Sequence, residues 1–493
     1  MELIVSLVLG EAITRSINFF IGKYSKPQAQ DVADHLCRVL LRAQVIIDEA
    51  MGRQITNQAM LLQLDKLRGA MHRGYYLLDT FRYQSHDKED AKDEAVSQSF
   101  SLSKANSSKY LCSSKKETQL FEQLQDALES LNNQIFDANE SVIFMKSYPL
   151  MCRQPYSMHL LLANCMFDRK VEMELVISFL LQTKSHRTEE PEVLPIIGPG
   201  RVGKSTLVAH VCNDERIRDH FSEIVFLTDH DFRDEMLSVQ SQGDAVEQQI
   251  CTTGRDQRLL VIVEIAGDVT KDAWKRLCSA FRRSTTNGTK IIITSRSDMV
   301  KKHGTTRAIT LTYPSSEAYW YFFKTLAFGS TDPEQHPRLA SVAMEIVKML
   351  SIRYYTAANM AASLLRDNFD INFWCKYLVF IRGLIQKHIA EFGKHPGDFL
   401  RQNQPAHLGR MMGRAHGDFV ICGQYQHSSH EAVPNIAFND VVYGSVKPHG
   451  NFEVLAWRSR IPPYYNYIYS CQVLHRKTRA AKRKRSQNNG TTP

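Results

Sequence analysis

No Cys-x-x-Cys pair and no Cys/His cluster at zinc spacing occurs among the ten cysteines, which are scattered from Cys37 to Cys471. That excludes a zinc-ribbon type of structural metal and fits a reducing compartment. No uninterrupted apolar run approaches the length a bilayer requires, so no transmembrane segment is expected. The first ten residues, Met1 to Gly10, are apolar but lack a positive leader, and Glu2 and Glu11 bracket them. They read as a buried first helix, with peripheral membrane contact as the alternative. No leucine-rich, ankyrin or WD-type repeat period is visible. Acid is missing from one place: Arg476 to Arg485 carries seven Lys/Arg and no Asp or Glu, so it supplies most of the formal charge of +9. The rest is near neutral and says little about partners. With 493 residues, 43% hydrophobic and 23% charged, the chain can bury two to four domain cores.

The most specific chemistry lies between Val193 and Thr206. The run Val193 to Ile197 reads as a buried strand. It is followed by G-x-x-x-x-G-K-S from Gly198 to Ser205, then by a helical run with Leu207, Val208 and Val211 on one face. Glycines at 198, 200 and 203 let the backbone curl and aim N–H groups at a phosphate. The cradle comprises Gly198, Gly200, Val202, Gly203, Lys204, Ser205 and Thr206. Lys204 reaches the β- and γ-phosphates, Ser205 ligates Mg²⁺, and the helix contributes its positive N-terminal end.

Around this loop the chain divides by periodicity. Residues 1–148 read as a helical domain, with stripes from Val32 to Ala50 and from Leu61 to Phe81. A third stripe, Leu120, Leu124, Leu128, Leu131, Ile135, Ala138 and Val142, is close to a heptad seam. Between them, 84–118 is rich in Ser, Lys, Asp and Glu and reads as a mobile loop. Residues 160–330 alternate strand-like runs (Glu223 to Thr228, Leu259 to Val263, Lys290 to Thr294, Ala308 to Leu311) with longer gaps, the pattern of a parallel sheet covered on both faces. Residues 331–392 turn helical again; in 393–470 the pattern is poor, with short alternating stretches such as Phe419 to Cys422 hinting at strands but no assignable fold; and 471–493 form a basic, disordered tail.

A phosphate cradle of this kind holds Mg²⁺ through an acid at the tip of a second apolar strand. That acid is Glu264, one methylene longer than the usual Asp. The next position, where hydrolytic enzymes place a base, is Ile265, which cannot take a proton; Asp268 is a distant substitute. Retained nucleotide binding with weak or absent hydrolysis is the expected result. Arg296, after the third strand, is placed to contact a γ-phosphate, the alternative being a plain surface Arg.

These pieces together resemble the NB-ARC module of plant nucleotide-binding leucine-rich-repeat resistance proteins of the coiled-coil class. Met166-Phe-Asp-Arg169 resembles the family's hydrophobic-Gly-Arg lead-in, with Asp168 where a glycine usually stands. Leu259 to Glu264 with Trp274 is similar to its Walker B region, Gly288 to Arg296 to its sensor strand, and Glu317-Ala318 with Tyr321-Phe-Phe323 to its next helix. The first helices look like its Rx-like four-helix domain, where Tyr75 to Asp79 stands in place of an acidic self-docking motif and only Asp79 keeps the charge. The G-L-P-L motif is replaced near Ser351 to Thr356, no winged-helix Met-His-Asp is recognisable, and His416-Gly-Asp418 is only a faint echo.

The resemblance implies a multidomain α and α/β architecture with a helical ARC-like segment over 331–392. It also implies ADP or ATP with Mg²⁺ as cofactors, and a role in innate immune signalling through nucleotide-dependent exposure of the N-terminal helices. Implied partners are a second copy or another receptor of the same type, and the implied location is cytoplasmic. The alternatives are an active P-loop ATPase, or a nucleotide-independent helical scaffold with a relic P-loop. The basic tail reads equally as a nuclear-import signal met by an import receptor, as a patch for nucleic acid or anionic lipid, or as a solvated tail without a partner.

Overall fold

The apolar stripes draw the first helices together. In α1 (Ala29–Met51) the buried set is Val32, Ala33, Leu36, Val39, Leu40, Ala43, Ile47 and Ala50, spaced to fall on one helical face. Helix α2 (Gln58–Ser97) opens with the Met60 N–H donating to the Asn57 side chain at 3.2 Å, a cap for one of its free amides. From α3 (Ser107–Met145), Leu124, Leu131, Ile135 and Ala138 complete one shared core with Leu67, Met71 and Leu78 of α2. Full burial of each such leucine is worth about 1.5–3 kcal/mol.

The computed structural model describes residues 29–97, 107–150, 166–182, 191–228, 258–265, 274–275, 289–350, 355–411, 418–427, 432–460 and 464–474, with backbone only over 84–97 and 107–117. The apolar start at Met1–Gly10 therefore lies outside the described residues. The expectation of a loop over 84–118 does not hold at either end, since α2 runs to Ser97 and α3 begins at Ser107; residues 98–106 lie outside the described residues. Lys, Glu and Ala are good helix formers, and a helix that is polar all round shows no apolar period to read.

The chain divides into two units, 1–375 with 460–463 and 376–459 with 464–493, so the division falls inside the stretch expected to be one helical region, 331–392. In the first unit, α4 (Lys170–Leu181) leads to a five-stranded parallel sheet. Its strands are β1 (Glu192–Ile197), β2 (Glu223–Thr228), β3 (Leu259–Glu264), β4 (Lys290–Ser295) and the short β5 (Ile309–Thr310), in the order β2-β3-β4-β1-β5. Alternate residues serve opposite faces. Leu194, Ile196, Leu260, Ile262 and Ile292 pack under α4, α5 (Lys204–Cys212) and α6 (Glu215–His220). Val193, Ile197, Val261, Val263, Ile291 and Ile293 meet Val300 and Trp274 on the other face. Burial on both faces is why these strands read as continuous β-branched runs.

Helix α7 (Ser316–Phe328) is capped by the Ser315 hydroxyl oxygen, which accepts from the Ala318 N–H at 3.1 Å. It buries residues all round, Tyr319, Trp320, Tyr321, Phe322 and Phe323 among them, because α2 and the helix that begins at Tyr355 flank it. Against α2 the contact is charged: the Asp79 carboxylate, 4% exposed, accepts from the Trp320 indole N–H at 2.8 Å and from Lys324 at 2.6 Å. Helices α8 (Pro337–Met349), α9 (Tyr355–Asp367) and α10 (Ile371–Phe392) follow, the last crossing the division.

The second unit gives the unassigned stretch 393–470 a fold. After α11 (Pro396–Arg401) come β6 (Ala406–Leu408), β7 (Phe419–His427), the helix α12 (Phe438–Tyr443), β8 (Asn451–Arg458) and β9 (Asn466–Val473). They form an antiparallel sheet ordered β6-β7-β9-β8. The strand hinted at by Phe419 to Cys422 is the start of β7; register shifts at Ile421/Gly423 and Leu455/Trp457 break the two-residue alternation along β7 and β8, which weakens their signal in the sequence. The segment read as a tail from 471 starts inside β9, and its basic residues lie outside the described residues. Among the described residues no helix is long and apolar enough to cross a membrane.

Candidate functional site

At the carboxyl end of β1 the backbone makes turns that side chains would obstruct. A Cβ on Gly198, at φ +155°, would stand 2.6 Å from the Leu311 carbonyl oxygen. Gly203, at φ +97°, caps the first turn of α5 in the left-handed region that glycine enters without steric cost. Arg201 takes φ +63° without that freedom. Bonds from neighbouring segments hold the loop, among them Gly198 N–H to Ser295 O at 3.3 Å, Leu311 N–H to Ile197 O at 2.8 Å, and the Tyr313 hydroxyl to Gly200 O at 2.8 Å.

The functional side chains converge because β1, β4 and β3 end side by side, with β4 inserted between the other two. Ligands of open α/β sheets lie beyond such strand ends, where chain connections leave in opposite directions. Lys204 folds back over the loop, its ammonium donating to Gly198 O at 2.8 Å and Pro199 O at 2.9 Å. Arg296, just beyond β4, lies against Gly200: a Cβ there would be 3.2 Å from its Cζ and Nε. Burial, and then the Arg296 charge, lower the Lys204 pKa to about 8, while Glu264 pulls the other way. The Ser205 hydroxyl donates to Glu264 Oε1, so both groups expected at a divalent cation are already adjacent. A hydroxyl and a carboxylate are hard oxygen donors suited to Mg²⁺.

The remaining expected residues sort by orientation. Val202 is 3% exposed and packs into the core beneath the loop, leaving only its backbone for a ligand, while Thr206 is half-buried in the first turn of α5. Ile265 is 4% exposed and belongs to the core on the other sheet face, its N–H bonded to Thr294 O at 2.9 Å. The position beside Glu264 therefore presents no base. Asp268, Ser351 and His416 lie outside the described residues; Asp418 pairs with Lys387 in the second unit.

Sequence reasoning missed Tyr313, whose hydroxyl fixes a loop carbonyl. No spacing rule connects a residue after β5 to a loop 113 positions earlier. It also left the lead-in segment as pattern only. Met166 lies over the loop, its Cε 3.3 Å from where a Gly203 Cβ would be. Arg169 bonds Thr312 O and pairs with Glu172 at 2.9 Å.

The NB-ARC domain family matches residues 170–333. Disease resistance protein RGA2 of Solanum bulbocastanum is 23% identical over 343 residues, covering 65% of this chain and 33% of that protein. Disease resistance RPP13-like protein 4 of Arabidopsis thaliana is 26% identical over 171 residues, 31% of this chain and 20% of that one. The chain thus spans a third or less of the length of these curated relatives. The solved C. elegans PCH-2 structure shares 18% identity over 41% of this chain and 63% of its own at a TM-score of 0.28, too low to carry an argument. Residues 170–333 thus match the NB-ARC domain family, and the chain resembles, at low identity, plant disease resistance proteins of the NLR type.

Proposed function

We propose that this chain is a nucleotide-binding signalling protein of plant innate immunity that holds ADP or ATP tightly and hydrolyses it weakly or not at all. The observation that carries this reading is the meeting of Lys204, Arg296 and the Ser205–Glu264 pair beyond the ends of β1, β3 and β4. The N–H groups from Gly200 to Ser205 and the ammonium of Lys204 take the phosphates. Mg²⁺, when bound, neutralises phosphate charge. Ser205 and Glu264 are the residues that would hold it. Arg296 reports a γ-phosphate. The buried side chain of Ile265 supports weak hydrolysis, since it offers the attacking water no base.

In this reading nucleotide state sets whether the N-terminal helices stay docked through Asp79 or are released to pair with a second copy or a related receptor in the cytoplasm. Such a switch requires that nucleotide bind the two conformations with different affinity. The test is to denature purified full-length protein and identify the released nucleotide by chromatography. Wild type should carry close to one ADP or ATP per chain, and Lys204→Ala should carry almost none. A nucleotide-free wild type, indistinguishable from Lys204→Ala, would sink the proposal.

A further inference from the structure

Asp168 is one of four non-glycine residues at positive φ among the described residues, at +58°. An Asp tolerates this left-handed geometry better than most side chains, but something must still favour it over the ordinary regions. The structure shows what faces it. Asp168 Oδ1 stands 2.7 Å from Nε of Arg68, a residue of α2 that is 8% exposed. That N–H is not aimed at the carboxylate as a hydrogen bond, so the attraction is one of charge. A second head-group nitrogen of Arg68 bonds Asp65, which keeps the guanidinium in place.

The residues on either side of Asp168 reach both the bundle and the phosphate loop. Met166 lies over Gly203. Phe167 stacks on His72 of α2 at 5.7 Å and meets Phe322 of α7 at 5.1 Å. Arg169 is tied to Thr312 O beyond β5. Lys170 donates to the Arg53 carbonyl, beside the end of α1, at 3.1 Å. Five consecutive residues thus span from the roof of the loop to two positions on the helical bundle, and the turn that joins them is at Asp168.

We propose that the Asp168–Arg68 ion pair couples occupancy of the phosphate loop to the docking of the N-terminal helical bundle, with Asp168 acting as a positioning residue. While the pair holds, the turn keeps Met166 over the loop and hinders nucleotide from leaving. When the bundle moves away, Arg68 goes with it, the turn relaxes, and Met166 no longer covers Gly203. Linkage makes this reciprocal: nucleotide that favours the covered loop must favour the docked bundle by the same factor. The inference rests on the nucleotide-binding reading above.

The test uses the full chain, fluorescent ADP in a displacement experiment, and hydrogen exchange over α2. Asp168→Asn keeps a side chain that accepts left-handed geometry and removes only the charge; Asp168→Gly also removes the backbone strain. Both should speed ADP dissociation at least fivefold and remove ADP-dependent protection around Arg68. Arg68→Lys should keep wild-type behaviour, and Arg68→Met should match Asp168→Asn. A merely structural pair would lower thermal stability without altering the dissociation rate. Wild-type dissociation and protection in both Asp168 variants, with Lys204→Ala still unable to hold ADP, would overturn the coupling and leave nucleotide binding standing. A wild type that takes up no ADP would overturn both.

Discussion

Replacing Asp79 by Ala should detach α2 from α7. The carboxylate is 4% exposed and serves two donors at once, the Trp320 indole N–H at 2.8 Å and the Lys324 ammonium at 2.6 Å. Trp320 is fully buried, so its N–H cannot turn to water. Lys324 is 13% exposed, and its other neighbours are the rings of Tyr75 at 5.1 Å and Trp320 at 5.7 Å. Breaking a buried pair by removing one partner costs about 3–5 kcal/mol, of which an orphaned donor accounts for about 1–3. Taking the lower figure, about 3 kcal/mol, the docked state loses roughly 150-fold in population relative to the released one.

Hydrogen exchange over residues 58–83 should accelerate in Asp79→Ala while the amides of β1, β3 and β4 keep their protection. Asp79→Asn retains an acceptor for the indole and should fall between wild type and Ala. Lys324→Met combined with Asp79→Leu removes both charges and should recover much of the lost docking, because an apolar pair leaves no buried charge unmatched. Equal exchange in wild type and Asp79→Ala, or a denaturation shift below about 0.5 kcal/mol, the size of an ordinary surface change, would refute the reasoning.

Two further outcomes involve protons. His72 is 2% exposed between Phe167 and Tyr321, and burial, reinforced by the Arg68 charge, pushes its pKa down to about 3. An unfolded histidine titrates near 6.5, so the unfolded state binds more protons below that pH. The stability His72 contributes is complete above about pH 6.5 and is lost as the pH falls towards 3. Urea unfolding of wild type against His72→Leu should show that difference growing by about 2–3 kcal/mol between pH 7 and 4.5, and a constant difference would contradict it. Lys204 in the nucleotide-free loop sits near 8, held down by burial and Arg296. Nucleotide phosphates will favour its charged form, so binding at pH 8 should take up about half a proton and binding at pH 6.5 almost none. Calorimetry in buffers of different ionisation enthalpy measures this directly; equal uptake at both pH values would exclude Lys204 as the source.

Much of the first unit was legible because its signals are local. Val193 to Ile197, Leu259 to Val263 and Lys290 to Thr294 are strands buried on both faces, and such strands must be continuously apolar. The stripe from Val32 to Ala50 had one helical solution. Where the local signal was weak the reading failed for a stated reason. The polar stretches 84–97 and 107–117 are helical backbone with few apolar residues to mark a period, and β7 and β8 carry bulges that scramble the inward and outward alternation.

What residue order alone decided is the loop from Gly198 to Thr206. Its glycines, lysine and serine are contiguous, and their geometry follows from the chain's own covalent limits. It also decided that Ile265, beside Glu264, offers no base. The tertiary structure decided everything that depends on partners distant in sequence. It placed β4 between β1 and β3, so Arg296 falls against Gly200. It brought Glu264 to Ser205 across 59 positions, Asp79 to Trp320 across 241, and Arg68 to Asp168. A carboxylate's role depends on the charge it meets and on how much water is excluded, and no property of Asp79 or Asp168 in the sequence specifies either.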